Sequence, residues 1–167
     1  PDEIWVTLIY DGTYGIYVLN STNNSHTITV ENNTVDGCGD GVYIVQGDTG
    51  DYRNDYATGS TTSDFNVVSS ESETGNDLGS EDTTAFGTNQ NDSLVEADEV
   101  ISATPGADYM VPKSSSIIKD SGSAPTISGN TTDITGESYA GTYPIGCYLE
   151  QVAAVTGNPY YHYLQQI

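Results

Sequence analysis

The chain has 167 residues, 24 of them acidic against 3 basic, for a formal net charge of −21 at pH 7. Such a charge repels nucleic acid and anionic membranes, so neither nucleic-acid binding nor membrane insertion is expected. Tyr is abundant (13) while Phe (2), Met (1) and Trp (1) are scarce, and 18 Gly accompany many Ser, Thr and Asn. That turn-rich composition excludes long helices and predicts one all-β domain.

The chain opens at Pro1 and runs at once into the apolar stretch Ile4 to Ile9, which reads as a strand. No targeting segment or membrane span is read in it, and the opening suggests a processed product or part of a longer polypeptide. Next comes Gly15-Ile16-Tyr17-Val18, which matches Gly41-Val42-Tyr43-Ile44 at an offset of 26 residues. Val6 stands 24 residues before Val30. Between these lie Ile28 and Val30, alternating with Thr27, Thr29 and Glu31 as a half-buried strand does. Asn32-Asn33 reads as a turn, because Asn tolerates the left-handed region and bonds its own backbone. Asp36 to Gly41 is a second turn, and Val42 to Val45 a second strand. Two interleaved strand series with one period of about 25 residues predict a solenoid whose coils bury their inner faces only by stacking. An antiparallel sandwich is the alternative.

Gly47 to Ser63 reads as a long loop leaving the coil, and Phe65 to Val68 as a returning strand. Val30, Val42, Ile44, Phe65 and Val67 are expected to share one core. Ser69 to Ser93 is acidic, Gly-rich and without periodicity, and is expected to run over the surface. Leu94 to Ile101 has room for one short element.

The words Asn32-Asn33-Thr34-Val35-Asp36-Gly37 followed by Gly41 to Val45 resemble the repeat of right-handed parallel β-helix proteins of the pectate-lyase-like superfamily. The resemblance extends to the C-terminal third. Asp108, Tyr109 and Val111, then Ser116, Asp120 and Gly122, are similar to the family's closing signature. Asp133 to Gly136 and Ile145 to Tyr148 follow its later blocks, with Glu150 one place late. Ile117, Ile118 and Lys119 depart from the pattern, Pro144 replaces an Asp, and an Arg between the blocks is missing. The resemblance implies a right-handed parallel β-helix with long surface loops and a C-terminal cap. The expected layout is coils over 1–68 with a loop at 47–63, irregular surface chain over 69–107, a cap over 108–150 and an apolar aromatic tail over 151–167.

Polysaccharide lyases on that fold use a basic residue as the base and acidic residues to hold calcium. Only Arg53 stands among acids, and a loop salt bridge explains it as well. The pairs Asp36/Asp40 and Asp48/Asp51 are too common in so acidic a chain to mark a hydrolase. His26 and His162 are isolated, and no set has zinc-ligand spacing. No catalytic residue is therefore assigned. Calcium takes hard oxygen ligands on flexible turns, so Asp48, Asp51 and Asp55 are the calcium candidates. The remaining acids read as a solvated acidic surface.

Five glycosylation sequons occur, at Asn20, Asn23, Asn32, Asn91 and Asn130. Cys38 and Cys147 pair only if the C-terminal segment folds back on the second coil; two buried thiols are the alternative. Trp5 in the uncapped first strand, and Tyr160, Tyr161, Tyr163 and Ile167 in the tail, are the assembly candidates. They suggest a homo-oligomer, as a head-to-tail filament or a trimeric fibre. The expected function is a non-catalytic extracellular module, on a cell or virion surface, that belongs to a filament, fibre or adhesin and contacts glycan. The alternative is a fragment of a carbohydrate-active enzyme, a lyase or glycoside hydrolase.

Overall fold

A computed structural model describes residues 2–19, 27–45, 49–68 and 74–149. The described chain is all-β, with three parallel sheets and almost no helix. The strands are β1 (Asp2–Trp5), β2 (Leu8–Tyr10), β3 (Tyr14–Leu19), β4 (Thr27–Glu31), β5 (Thr34–Asp36), β6 (Asp40–Val45), β7 (Thr49–Arg53), β8 (Tyr56–Thr58), β9 (Ser63–Val67), β10 (Thr74–Asn76) and β11 (Gly79–Ser80). The one helix among the described residues, α1 (Glu96–Glu99), is a single turn. The first sheet runs β1-β4-β7-β10, the second β2-β5-β8-β11 and the third β3-β6-β9. The chain thus visits the sheets in a fixed rotation and then begins a new circuit.

The register explains the period. Ile16 pairs with Val42, as the 26-residue repeat predicts. Val30 is opposite Ile4 and not Val6, so the 24-residue spacing is a coincidence of composition. From the second circuit to the third the step shortens to 22, with Val30 opposite Tyr52 and Thr34 opposite Tyr56. The chain expected as a loop over 47–63 therefore contains β7 and β8. Its inward positions are Tyr52 and Ala57, which lack the aliphatic alternation that marks the earlier strands. Part of the stretch expected as irregular, 74–80, likewise forms β10 and β11.

One core is shared by the three sheets. Val30 and Tyr52 enter it from the first, Val35 and Ala57 from the second, and Ile16, Val42, Ile44 and Phe65 from the third, all 3% exposed or less. Val67, expected there too, ends its strand 36% exposed. At the fourth circuit Gly75 takes the inward position below Tyr52. A Cβ on Gly75 would stand 2.2 Å from the Phe86 carbonyl oxygen. The bare glycine lets Phe86 come in edge-on to Tyr52 and Phe65, at centroid distances of 5.6 and 6.0 Å. Thr88 bridges Asn76 and Asn91 bridges Gly79, both in parallel. The surface chain after β11 thus closes the last circuit.

Each corner between the first and second sheets is a two-residue device. Its first residue sits in the left-handed region: Val6 (φ 49), Asn32 (56), Asn54 (55) and Asp77 (54). Asn and Asp adopt this conformation at least cost because their side chains compensate with local hydrogen bonds. In the second and third circuits the side chain of the second residue bonds to the circuit before. Asn33 Oδ1 accepts from Thr7 N at 3.1 Å, and Asp55 Oδ1 accepts from Asn33 N at 3.0 Å. The turn expected at Asn32-Asn33 is therefore one rung of a ladder.

The C-terminal segment lies along that ladder and not across the last circuit as a cap would. Asn32 Nδ2 donates to Pro144 O, Asn54 Nδ2 to Ser123 O at 2.7 Å, and Ser123 N returns a bond to Asn54 Oδ1 at 2.8 Å. Gly146 N donates to Asn54 O, and Cys147 N to Thr34 Oγ1. Glu31, fully buried, accepts from Thr126 N at 2.8 Å, Ile127 N at 3.1 Å and Asn130 Nδ2 at 3.2 Å, with Arg53 Nε 3.9 Å away. The flank is held because corner side chains facing outward need partners that the sheets do not provide. A second apolar cluster forms where Leu94, Val100, Tyr109, Met110, Ile118 and Ile145 cover Tyr56, Leu8 and Tyr10 on the outer side of the second sheet.

Removing one acceptor from this flank leaves several buried donors unmatched. Glu31→Ala is expected to cost about 3 kcal/mol or more, seen as a drop of roughly 10 °C in thermal unfolding. Glu3→Ala, exposed on the same sheet, leaves the melting point unchanged.

Candidate functional site

The alternation of the third sheet slips at its start. A Cβ on Gly15 would stand 2.2 Å from Val35, and one on Gly41 3.1 Å from the Ala57 Cβ, so both positions face the core. Ile16 and Val42, which follow directly, are core residues as well. The slip returns Tyr14 to the outer face beside Tyr17. Tyr14 lies 4.9 Å from both Tyr17 and Tyr43 by ring centroids, tilted by 51° and 44°. Tyr17 and Tyr43 pair in register and stack at 5.5 Å with an interplanar angle of 7°. Tyr14 is 39% exposed and Tyr17 46%. Below Tyr43 the register brings Asn66, whose Nδ2 donates to Asp40 Oδ1 at 2.8 Å. The result is an exposed aromatic surface with phenol hydroxyls and one amide at its border, the amide anchored by the buried Asp40 carboxylate. Strict period-2 reading turns Tyr14 inward with Ile16. The signal that would have found the site is the repeated Gly before Ile16 and Val42.

A second constellation lies where the C-terminal segment meets the far corner of the second sheet. Tyr109 Oη donates to Asp36 Oδ2 at 2.5 Å, and Tyr109 sits edge-on to Tyr10 at 5.5 Å. Glu96 lies near enough to Asp36 for the charge of each carboxyl to act on the other. Burial pushes Glu96 up to about 7, with the Asp36 charge adding to the effect. Asp36 is also raised by burial, in spite of the bond it accepts from Tyr109. The two residues are sixty positions apart, and neither carries a sequence signal of the other.

The expected calcium ligands do not form a set. Asp48 lies outside the described residues. Asp51 lies on the outer face of the first sheet, 3.6 Å from Arg53. Asp55 is buried in the corner ladder, bonded to Asn33 through one oxygen while Oδ2 accepts no bond. Among the described residues no three His, Cys, Asp or Glu side chains gather where a metal ion would be held. Arg53 forms the salt bridge read as its alternative, with Asp51 and Glu31.

Of the sequons, Asn32 and Asn130 are buried and bonded within the flank, closed to a glycosyltransferase in the folded chain. Asn91 is half-buried, its amide bonded to Asn89 O. Asn20 and Asn23 lie outside the described residues. The C-terminal segment does fold back on the second circuit, yet Cys38 and Cys147 remain free, buried thiols. Burial pushes Cys147 up to about 12. Trp5 is 38% exposed in an outermost strand, and Tyr160, Tyr161, Tyr163 and Ile167 lie outside the described residues, as do His26 and His162. Comparison with protein-family models, with curated proteins and with solved structures finds no match.

Full burial raises Asp55 well above its usual value near 3.8, against the bonds it accepts from Asn33. A carboxyl that binds its proton more tightly folded than unfolded stabilises the fold at low pH, and that contribution is lost as pH rises through the folded value. The melting point of Asp55→Asn is therefore expected to fall less steeply than the parent's between pH 4 and 8. Equal slopes would assign the proton elsewhere.

Proposed function

We propose that this chain is a non-catalytic extracellular surface module on a right-handed parallel β-helix of the pectate-lyase-like kind, and that it contacts neutral glycan through Tyr14, Tyr17 and Tyr43. Fixed rotation through three parallel sheets supports the β-helix, and the right hand follows from the strong preference of parallel crossovers for that sense. The observation that carries the functional reading is the exposed tyrosine surface of the third sheet. On the second sheet the corresponding apolar face is covered by the C-terminal segment; on the third the rings are open to solvent. A phenol ring gives an apolar face to the C–H side of a pyranose and a hydroxyl to its oxygens. Asn66 at the border adds an amide, held in place by its bond to the buried Asp40 carboxylate. With a net charge of −21, uronate or sulfated chains are repelled, so the ligand is uncharged.

The enzyme alternative is less well supported. Among the described residues the one pair of raised carboxyls that act on each other is Asp36 and Glu96, and Tyr109 Oη already occupies Asp36 Oδ2 at 2.5 Å. A glycoside hydrolase keeps its two carboxyls about 5–9.5 Å apart so that sugar and water fit between. Self-association through Trp5 remains part of the proposal. Its form is constrained, because the outer edges of β10 and β11 are bridged by residues of the same chain, and a copy added there by strand pairing would have to displace them.

Isothermal titration with neutral hexose oligosaccharides, against a uronate oligomer of the same length, tests the reading. Saturable binding to the neutral set alone is expected. Tyr17→Ala/Tyr43→Ala should lose it by at least about tenfold, near 1.4 kcal/mol, with the melting point retained. Equal affinity of the double variant, or no saturable binding to any neutral oligomer, would count against it.

A further inference from the structure

We propose that Tyr14 is an oxidative coupling site, at which a one-electron oxidant of the haem-peroxidase class joins its ring to that of Tyr17 or Tyr43 as dityrosine. The inference stands on ring geometry and is independent of the glycan reading. Tyr14 is the apex of the exposed triad, 4.9 Å from both neighbours by ring centroids, while Tyr17 and Tyr43 are 5.5 Å apart. Its plane tilts by 51° and 44° against theirs, whereas Tyr17 and Tyr43 lie parallel within 7°. A bond between two phenol rings joins them edge to edge and leaves their planes twisted. The close, tilted contacts at Tyr14 therefore need a small ring movement to reach it, and the wider, parallel stack needs a larger one. Tyr14 and Tyr17 are exposed and Tyr43 half-buried, and exposed side chains make such movements in picoseconds to nanoseconds.

The other tyrosine pairs in contact lack access. Tyr109 meets Tyr10 edge-on, but Tyr109 is buried and its hydroxyl is committed to Asp36. Tyr139, 5.9 Å from Tyr143, is buried as well. Of these contacts, only those of the triad leave both rings open to an oxidant.

The chemistry balances as follows. Each phenol gives up one electron to the oxidant and its hydroxyl proton to water. The two radicals pair in a carbon–carbon bond between positions ortho to the oxygens. Each ortho hydrogen then moves to its oxygen and restores the phenol. The two electrons and two protons released reduce one hydrogen peroxide to two water molecules. Chains of net charge −21 repel one another, and rings already in contact meet at an effective concentration far above that of dilute protein. Coupling within a chain therefore outruns coupling between chains. Coupling to Tyr43 ties β3, outermost in its sheet, covalently to β6.

Treatment of the intact chain with a haem peroxidase and one equivalent of hydrogen peroxide, without glycan, tests the site. Dityrosine fluorescence is expected in a product that remains monomeric under denaturing conditions and has lost two hydrogens by intact mass. Cleavage at acidic residues places Tyr14 and Tyr17 in one peptide, 12–31, and Tyr43 in another, 41–48. A bond to Tyr43 joins the two peptides, and a bond to Tyr17 closes a ring within the first; Tyr14 is expected in either product. Tyr14→Phe keeps the ring and loses the hydroxyl, and should slow intrachain coupling by at least about tenfold. Tyr143→Phe should leave the rate unchanged. No intrachain dityrosine in the parent, a bond that excludes Tyr14, or an unchanged rate in Tyr14→Phe overturns the proposal.

Discussion

The structure depends on the two-residue corner between the first and second sheets. Asn32, Asn54 and Asp77 hold the left-handed backbone that lets each circuit turn, and Asn33 and Asp55 use their side chains to accept an amide of the circuit before. A corner of this kind faces a conflict. The left-handed residue must point its side chain out of the stack, where a polar group near an apolar flank needs a partner. The C-terminal segment resolves it. Pro144, Gly146 and Ser123 offer carbonyls to the outward amides, and in exchange the segment, which has little regular structure of its own, gains ordered partners for its backbone. The ladder therefore sets both the stacking of circuits and the course of the last third of the chain.

The same logic explains where the acidic residues go. Glu31, Asp55, Asp64, Asp77 and Glu99 are buried, where the sequence suggested a solvated surface. With three basic residues in the chain, and only Arg53 beside one of these acids, their counterparts are mainly backbone N–H groups, hydroxyls and side-chain amides. Asp64 Oδ2 takes Glu81 N and Asp82 N, Glu99 Oε2 takes Ile117 N and Ser116 Oγ, and Asp133 Oδ1 takes Thr135 N and Glu137 N. A carboxylate satisfied by several donors is a strong staple for irregular chain. Acidity here serves in part to organise loops, which is why dense acidic turns proved a poor guide to a cation site.

Much of the first two circuits was legible in the sequence. The repeat of Gly15–Val18 at Gly41–Ile44, the alternation at Ile28 and Val30, and the turn at Asn32-Asn33 each reflect one local rule that the structure obeys. The third circuit was not legible, because its inward positions hold Tyr52 and Ala57 and its period shortens to 22 residues, so neither hydropathy nor spacing repeats. Asn54-Asp55 echoed Asn32-Asn33 and was the available signal. The aromatic surface was hidden by the slip at Gly15, which moves Tyr14 from the inward to the outward series. The junction of Asp36 with Glu96 depends on how the last third folds back, and long-range contact of that kind leaves no local pattern.

The central claim is that corner ladder and C-terminal flank form one cooperative unit. Native-state hydrogen exchange by NMR at pH 5.5 tests it most directly, by comparing opening free energies for two sets of amides. Asn33 N and Tyr56 N bond within the ladder, and Ile127 N and Gly146 N bond from the flank to Glu31 and Asn54. A single unit predicts one shared opening free energy for all four, equal to that of global unfolding. Ile127 and Gly146 exchanging orders of magnitude faster than Asn33 and Tyr56 would show that the flank opens while the ladder stands, and would contradict the account.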